Sequence, residues 1–405
     1  IGNEALTRNT TGSSNVAIGK EALSRNTTAS NNTAVGHQAA YNNTTGTENT
    51  TLGRVSLLTN TTGNENTAIG SVALYYNTTG SNNVAVGRQA LNNNTTASNN
   101  TAVGFQALLA NTTGTANTAI GRNSLQANTT ADDNTASGMY SLYTNTTGAS
   151  NTAHGRSALF SNTTGSSNVS VGVQALENNT TASSNTAVGY QAGVSNTTGA
   201  FNTFVGKDSG LSITTSSNST FVGEYSGRST TGGGNTFIGQ GAGTAVTSGG
   251  NNTILGQYTG NQSGLDIRTA SDYVVISDGT GLPRAFIAGN AGWFQSNNSA
   301  SWSQASDERI KENISSLGSS LSKILSLRPV EFDYKIKDKN HDIGFIAQEY
   351  VSIFPEQVTS NSEVGGEILE LTGGDPVLSI EQNLVPYLVK AIQELSTNND
   401  ALSTA

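Results

Sequence analysis

The stretch "NTAIGRNSLQANTTADDNTASGMYSLYTNTTGASNTAHGRSALFSNTTG", Asn117 to Gly165, says nearly the same thing three times. Its glycines Gly121, Gly138 and Gly155 stand 17 residues apart. The same step runs outward from Gly2 through Gly19 and Gly36 to Gly223; one 16-residue step then reaches Gly239, and 17 more reach Gly256. The unit reads G-x-x-[AS]-L-x-x-N-T-T-[GA]-x-x-N-[TV]-A-[VI]. Such a unit is too short for a helical hairpin and suits one coil of a β-solenoid. Asn15 to Gly19 and Ala22 to Asn26 alternate in side-chain size, which predicts two short strands per coil with polar turns between them. Sixteen coils at the strand spacing of ~4.8 Å predict a rod about 70 Å long.

Stacking explains the columns of like residues. Asn9, Asn26 and Asn43 begin one column that ends at Asn196, and Asn15, Asn32 and Asn49 begin another that reaches Asn202. An amide carries donors and an acceptor, so each Asn can bond its successor in the next coil. The recurrent glycine implies a positive φ or a close backbone approach. At Gly12, Ala29 and Gly46 the two small residues alternate, so positive φ is not required there. Leu23 through Leu176 become Gly193, Gly210, Gly227, Gly243 and Gly260, while Ala17 through Ala187 become Phe204, Phe221 and Phe237. Large-to-small opposite small-to-large conserves volume, so both columns are predicted to face one interior. The adjacent Val/Ile column then points out of the other face of its strand. That face needs a partner, most simply another copy of the chain. Ser137 and His154 interrupt this column, and a hydrogen bond between their coils is expected.

Charged residues make up 12 % of the chain, against roughly 25 % in ordinary globular proteins. Asn, Thr, Ser and Gly crowd the rest, a composition that normally signals disorder but does not call for a strict period. The net charge of −9 speaks against a polyanion-binding surface, and so against a nucleic-acid partner. Cysteine is absent, which removes disulfides and thiol chemistry, and no apolar run is long enough to predict membrane insertion. No metal or cofactor is expected. Because Ile1 falls inside a repeat, the chain is expected to continue a longer one. The Asn-Thr-Thr triplets match a glycosylation sequon, yet recur because a turn recurs. Asp132 and Asp133 are likewise expected to be solvated turn acids rather than a glycosidase pair.

Beyond Gly256 the period stops. "DYVVISDGTG" and "PRAFIAGNAGWF" are two β-like runs around an Asp278-Gly279 turn. A Ser/Asn linker follows, and from Ser306 charged residues become common. Ile310, Ile314, Leu317, Leu321 and Leu325 then fall at helical spacing, with Ser306 as N-cap. Leu384, Leu388, Ala391 and Leu395 permit a coiled-coil seam, continued weakly to Leu402, or packing against the domain itself. The boundaries are therefore 1–260 for the solenoid, 261–305 for a β neck and linker, and 306–405 for an α+β domain ending in a helix. The fold class is mostly β.

Two resemblances add to this. "NTAVG" resembles the head repeat of trimeric autotransporter adhesins, which are trimers of β-rolls, and the Asn/Thr-rich repeats also resemble those of bacteriophage tail fibres. "SDERIKENI", "LRPVEFDYK", "HDIGFIAQEYVSIFPEQV" and "LVPYLVKAIQEL", in that order, closely resemble the intramolecular chaperone auto-processing domain of the peptidase S74 family. That resemblance implies a homotrimeric viral tail fibre or tailspike, located in the virion, that attaches to a host receptor or glycan. It also implies a self-cleaving serine endopeptidase. Ser306 would be the nucleophile that breaks Ala305–Ser306, and Lys311 the base, neutral through burial or a nearby cation such as Arg309. Asp307, Arg309, His341 and Gln348 match supporting motif positions; His341 and Gln348 read equally well as a turn histidine and a helix-surface glutamine. The competing functions are a bacterial trimeric adhesin, which should end in a membrane anchor, and a polysaccharide-degrading tailspike.

Overall fold

The structure is a computed structural model and describes residues 1–289, 293–295, 315–333, 341–361, 377–380 and 384–403. It divides into two compact units, Ile1–Ser303 and Gln304–Ala405.

The first unit is a β-solenoid. Fifteen three-residue strands, β1 (Val16–Ile18) to β15 (Thr253–Leu255), stack as one parallel sheet. Each residue pairs with its equivalent in the next coil, as Ala17 with Ala34 and Ile18 with Val35. The short 16-residue step leaves this register intact: Phe221 still pairs with Phe237. The lost residue comes out of the turn Thr230 to Asn235, where Gly234 takes φ +72°.

The second expected strand, Ala22 to Asn26, is instead a chain of turns. Its alternation has a different cause. Glu21 and Leu23 adopt left-handed φ values of 59° and 49°, and the same pair of positions repeats this in coil after coil. Such conformations strain an L-residue. Here hydrogen bonds to both neighbouring coils hold them, Glu21 N–H to Asn3 O at 2.8 Å and Leu23 N–H to Ala39 O at 3.0 Å. The column glycine is more constrained still. At Gly104 φ is +135°, and a Cβ would stand 2.5 Å from the carbonyl oxygen of Gly121.

The interior is as the columns predict. Leu91, Leu108 and Leu125 are wholly buried, as are Ala85, Ala102 and Ala119 opposite them. Where Leu becomes Gly, the Phe ring occupies its space: a Cβ on Gly193 or Gly210 would come within 2.4 Å of Phe204. Phe221 and Phe237 stack with ring centroids 5.0 Å apart. The core is broken once, at the coil where Ala40 stands for Leu and Thr51 for Ala.

Both Asn columns are buried ladders with different wiring. In the first, each side-chain amide donates to the preceding Asn, as Asn60 Nδ2 to Asn43 Oδ1 at 2.8 Å. In the second, each amide oxygen accepts the next coil's backbone N–H, as Asn66 N to Asn49 Oδ1 at 2.9 Å. This second column continues past Asn202 through Ser219, Asn235 and Asn252 to the amide of Tyr273. The triplet threonines join in; Thr78 Oγ1 donates to Thr95 O at 3.0 Å. The recurrent triplet is thus a turn unit whose Asn is buried and whose second Thr is exposed.

After β15, a small hairpin of β16 (Asn261–Gln262) and β17 (Leu265–Asp266) interrupts, and β18 (Tyr273–Ser277) stacks parallel on β15. The parallel ladder therefore outlasts the strict period. Then β19 (Pro283–Ala288) and β20 (Trp293–Gln295) add antiparallel strands. The turn between β18 and β19 is built on Asp278, which accepts the Thr280 N–H at 2.9 Å and the Leu282 N–H at 3.1 Å, and pairs with Arg284. Those donors, the Thr280 hydroxyl first, hold its carboxyl well below the usual range. Beneath the hairpins Tyr258 is buried, its phenol pushed up by desolvation while its hydroxyl donates to Leu265 O at 2.7 Å.

Candidate processing site

The site expected at the head of the second unit is only partly in view. Ala305, Ser306, Asp307, Arg309 and Lys311 lie outside the described residues. Described structure begins at Ser315, in a segment without regular structure, and the helix α1 is confined to Leu321–Leu325. The longer helix expected up to Leu325 therefore does not cover Leu317. Gly318 and its flanking serines disfavour helix, and a distant carboxylate fixes the start. Glu394 accepts the backbone N–H of Ser320 at 3.2 Å and of Leu321 at 3.0 Å. These bonds hold its carboxyl below the ordinary range.

Glu394 belongs to the last helix, α3 (Val385–Ser403), which follows α2 (Ala347–Tyr350) in the chain. The helix α3 is 19 residues long. Its seam differs from the one expected. Leu384, Tyr387, Ala391 and Glu394 are turned at least partly inward, whereas Val385, Leu388, Ile392, Leu395 and Leu402 are exposed. Packing takes the Ala391 side, and an apolar stripe at spacings of three and four is left uncovered.

His341 opens β22 (His341–Gly344), which pairs antiparallel with β21 (Val330–Asp333), His341 opposite Asp333. Gln348 lies on the exposed side of α2. Two residues on, Tyr350 is 1 % exposed. Its ring meets Phe345 at 5.5 Å and Phe354 at 5.3 Å, and Phe354 in turn meets Tyr387 of α3 at 4.8 Å. The Tyr350 hydroxyl is 2.9 Å from Gln357 Oε1. Tyr350 thus anchors the domain's aromatic core. Arg328 pairs with Glu349 beside it, Nε to Oε2 at 3.0 Å, which keeps the Glu349 carboxyl low. The described frame consists of β21 with β22, short helices and α3; Ser306 and Lys311 lie outside the described residues.

The sequence itself decides what the frame supports. Residues 306–359 match the chaperone of endosialidase family, Peptidase S74. No curated protein and no solved structure matches the chain. A chaperone-of-endosialidase segment behind a β-solenoid of some fifteen coils fits a tail-fibre-like or tailspike-like protein.

The other sequence candidates are all in the solenoid. Asp132 accepts the Thr115 N–H at 2.6 Å and the Thr115 hydroxyl at 3.0 Å, and Asp133 sits at φ 59°. Both are turn residues. Ser137 and His154 pair in register on the outward face, but no hydrogen bond joins them. The side-chain hydrogen bond expected between these two coils is absent among the described residues.

Proposed function

We propose that the chain is part of a homotrimeric viral tail fibre for host attachment, whose C-terminal domain assembles and folds it and is then cleaved off. The observation that carries this is the family match, which starts at Ser306, the residue that would be both nucleophile and new N-terminus. In the step, Lys311 takes the hydroxyl proton and Ser306 Oγ attacks the Ala305 carbonyl carbon. The amide nitrogen leaves protonated, and water hydrolyses the resulting ester. Arg309 helps keep Lys311 neutral, with Asp307, His341 and Gln348 in support. The test is intact mass: the purified chain should lose residues 306–405, and Ser306→Ala should keep them. Equal masses for the two proteins would overturn self-cleavage.

The repeats explain why a helper is useful. In-register pairs such as Thr101–Thr118 and Ala102–Ala119 join identical residues, so a slip by one coil costs little. A trimeric end domain would set the register once for all three chains, and cleavage would remove the template and leave the fibre kinetically trapped. The outward strand face supports association between copies. Ile18, Leu52, Ile120, Ile238 and Leu255 stand 41–49 % exposed in one column, where a monomer would keep so long an apolar stripe wet. Val103→Asp with Ile120→Asp is expected to turn trimers into monomers by light scattering, with the circular dichroism unchanged. A monomeric parent protein would refute the trimer.

Of the competing readings, a polysaccharide-degrading tailspike loses support because Asp132 is an exposed turn acid that accepts the Thr115 N–H and hydroxyl.

A further inference from the structure

One lateral face of the solenoid has a chemistry that the remainder lacks. Between residues 54 and 160 every Lys or Arg lies in a single column: Arg54, Arg88, Arg122 and Arg156. They recur every 34 residues, two coils, or about 10 Å along the stack. All four are exposed, and none makes an ion pair among the described residues. The aromatic residues of the same coils, Tyr75, Tyr76, Phe105, Tyr140, Tyr143 and Phe160, belong to the same turn segment, between the column glycine and the Asn-Thr-Thr unit. The acids of these coils, Glu65, Asp132 and Asp133, belong to the segment that follows that unit.

The contacts make this a continuous path. Arg54, Tyr75, Tyr76, Gln89 and Asn92 line one open groove of about 450 Å³. Further along, Phe105 lies between Arg88 and Arg122, whose guanidinium carbons are 5.9 and 6.0 Å from the ring centroid. Arg122 also reaches Tyr140 at 5.9 Å, and beyond it Tyr143 stacks on Phe160 at 5.1 Å. The chain's net charge of −9 conceals all this, because residues 1–260 carry nine basic and nine acidic side chains and the excess acid lies elsewhere.

We propose that this face binds a linear acidic polysaccharide with one carboxylate per disaccharide, laid along the solenoid axis. Guanidinium forks suit carboxylates, aromatic rings suit the apolar faces of sugars, and the side-chain amides suit hydroxyls. Charge spacing separates this ligand from nucleic acid. A nucleic-acid strand carries a charge about every 3.4 Å, roughly three for each arginine, whereas a carboxylate on alternate sugars matches one for one. The proposal rests on the host-attachment reading and names the ligand class of that attachment.

The test uses the purified protein and fluorescent hyaluronan, whose carboxylates fall on alternate sugars, with its methyl ester and single-stranded DNA as comparisons. Hyaluronan is expected to bind, its methyl ester to bind at least about tenfold more weakly, and DNA less well than hyaluronan. Arg88→Gln with Arg122→Gln should weaken hyaluronan binding about tenfold, while thermal unfolding stays the same. No hyaluronan binding, tighter binding of DNA, or an unaffected double variant overturns the proposal. Adsorption of the same proteins to encapsulated bacteria separates the two readings. Adsorption that the double variant retains would leave attachment standing and remove this face from it. Hyaluronan binding without adsorption to any cell would do the reverse.

Discussion

Replacing Phe204 by alanine is expected to destabilise the solenoid by about 4 kcal/mol, because nothing beside it can collapse into the gap. Its ring lies between Gly193 and Gly210, which have no side chains to offer. Gly193→Leu alone should also be strongly destabilising, since the new Cβ would meet the Phe204 ring at 2.4 Å. The backbone is no obstacle, for Leu176 holds the preceding position of that column at φ 49° and Gly193 sits at 60°. The two changes together recreate the Leu-and-Ala packing of the earlier coils, so the double variant should recover at least about 2 kcal/mol relative to the sum. Denaturant unfolding of the four proteins measures this. Simple additivity would mean that the two columns do not share one space.

The second large effect belongs to the Asn ladder. Asn111 Nδ2 donates to Asn94 Oδ1 at 3.0 Å and to Gly114 O at 2.9 Å, and Asn111 Oδ1 accepts from Asn128 at 2.9 Å. Asn111→Ala would strand buried partners on both sides and is expected to cost about 3 kcal/mol. Asn196 offers the internal control. It ends the ladder, because Ile213 follows it, and its Oδ1 is buried without a partner. Asn196→Ala breaks the two donor bonds to Asn179 and Gly199 but no acceptor bond. It should therefore cost about 1 kcal/mol less than Asn111→Ala. An equal or larger loss at Asn196 would show that the ladder's chain of acceptors contributes nothing.

Much of this was legible beforehand because a repeat is a one-dimensional object. When each residue stacks on its own equivalent, a column read down the sequence is already a list of spatial neighbours. That is why the exchange of Leu for Gly and Ala for Phe pointed to a shared interior, and why the Asn columns pointed to ladders. Periodicity does not report dihedral angles, however. The alternation of Ala22 to Asn26 suited a strand equally well, and it took the structure to show left-handed turns held by the coils on either side. Ser137 and His154 show the same limit: a shared column makes them neighbours on the outward face, but it does not report whether their side chains bond.

In the second unit the balance is reversed. The ordered motifs from Ser306 onward carried the family likeness without any geometry, since a motif is a matter of residue type and order. The extent of α1 and the exposed side of α3 were not legible, because Glu394 lies 74 residues from the amide it caps at Ser320. The sequence by itself determined the coil, its core columns and the likeness to a self-processing chaperone, all properties of local order and repetition. Only the tertiary structure decided the backbone between strands, the seam left open on α3, and the ring contacts of the arginines along one face. Those depend on stacking and on contacts far apart in the chain.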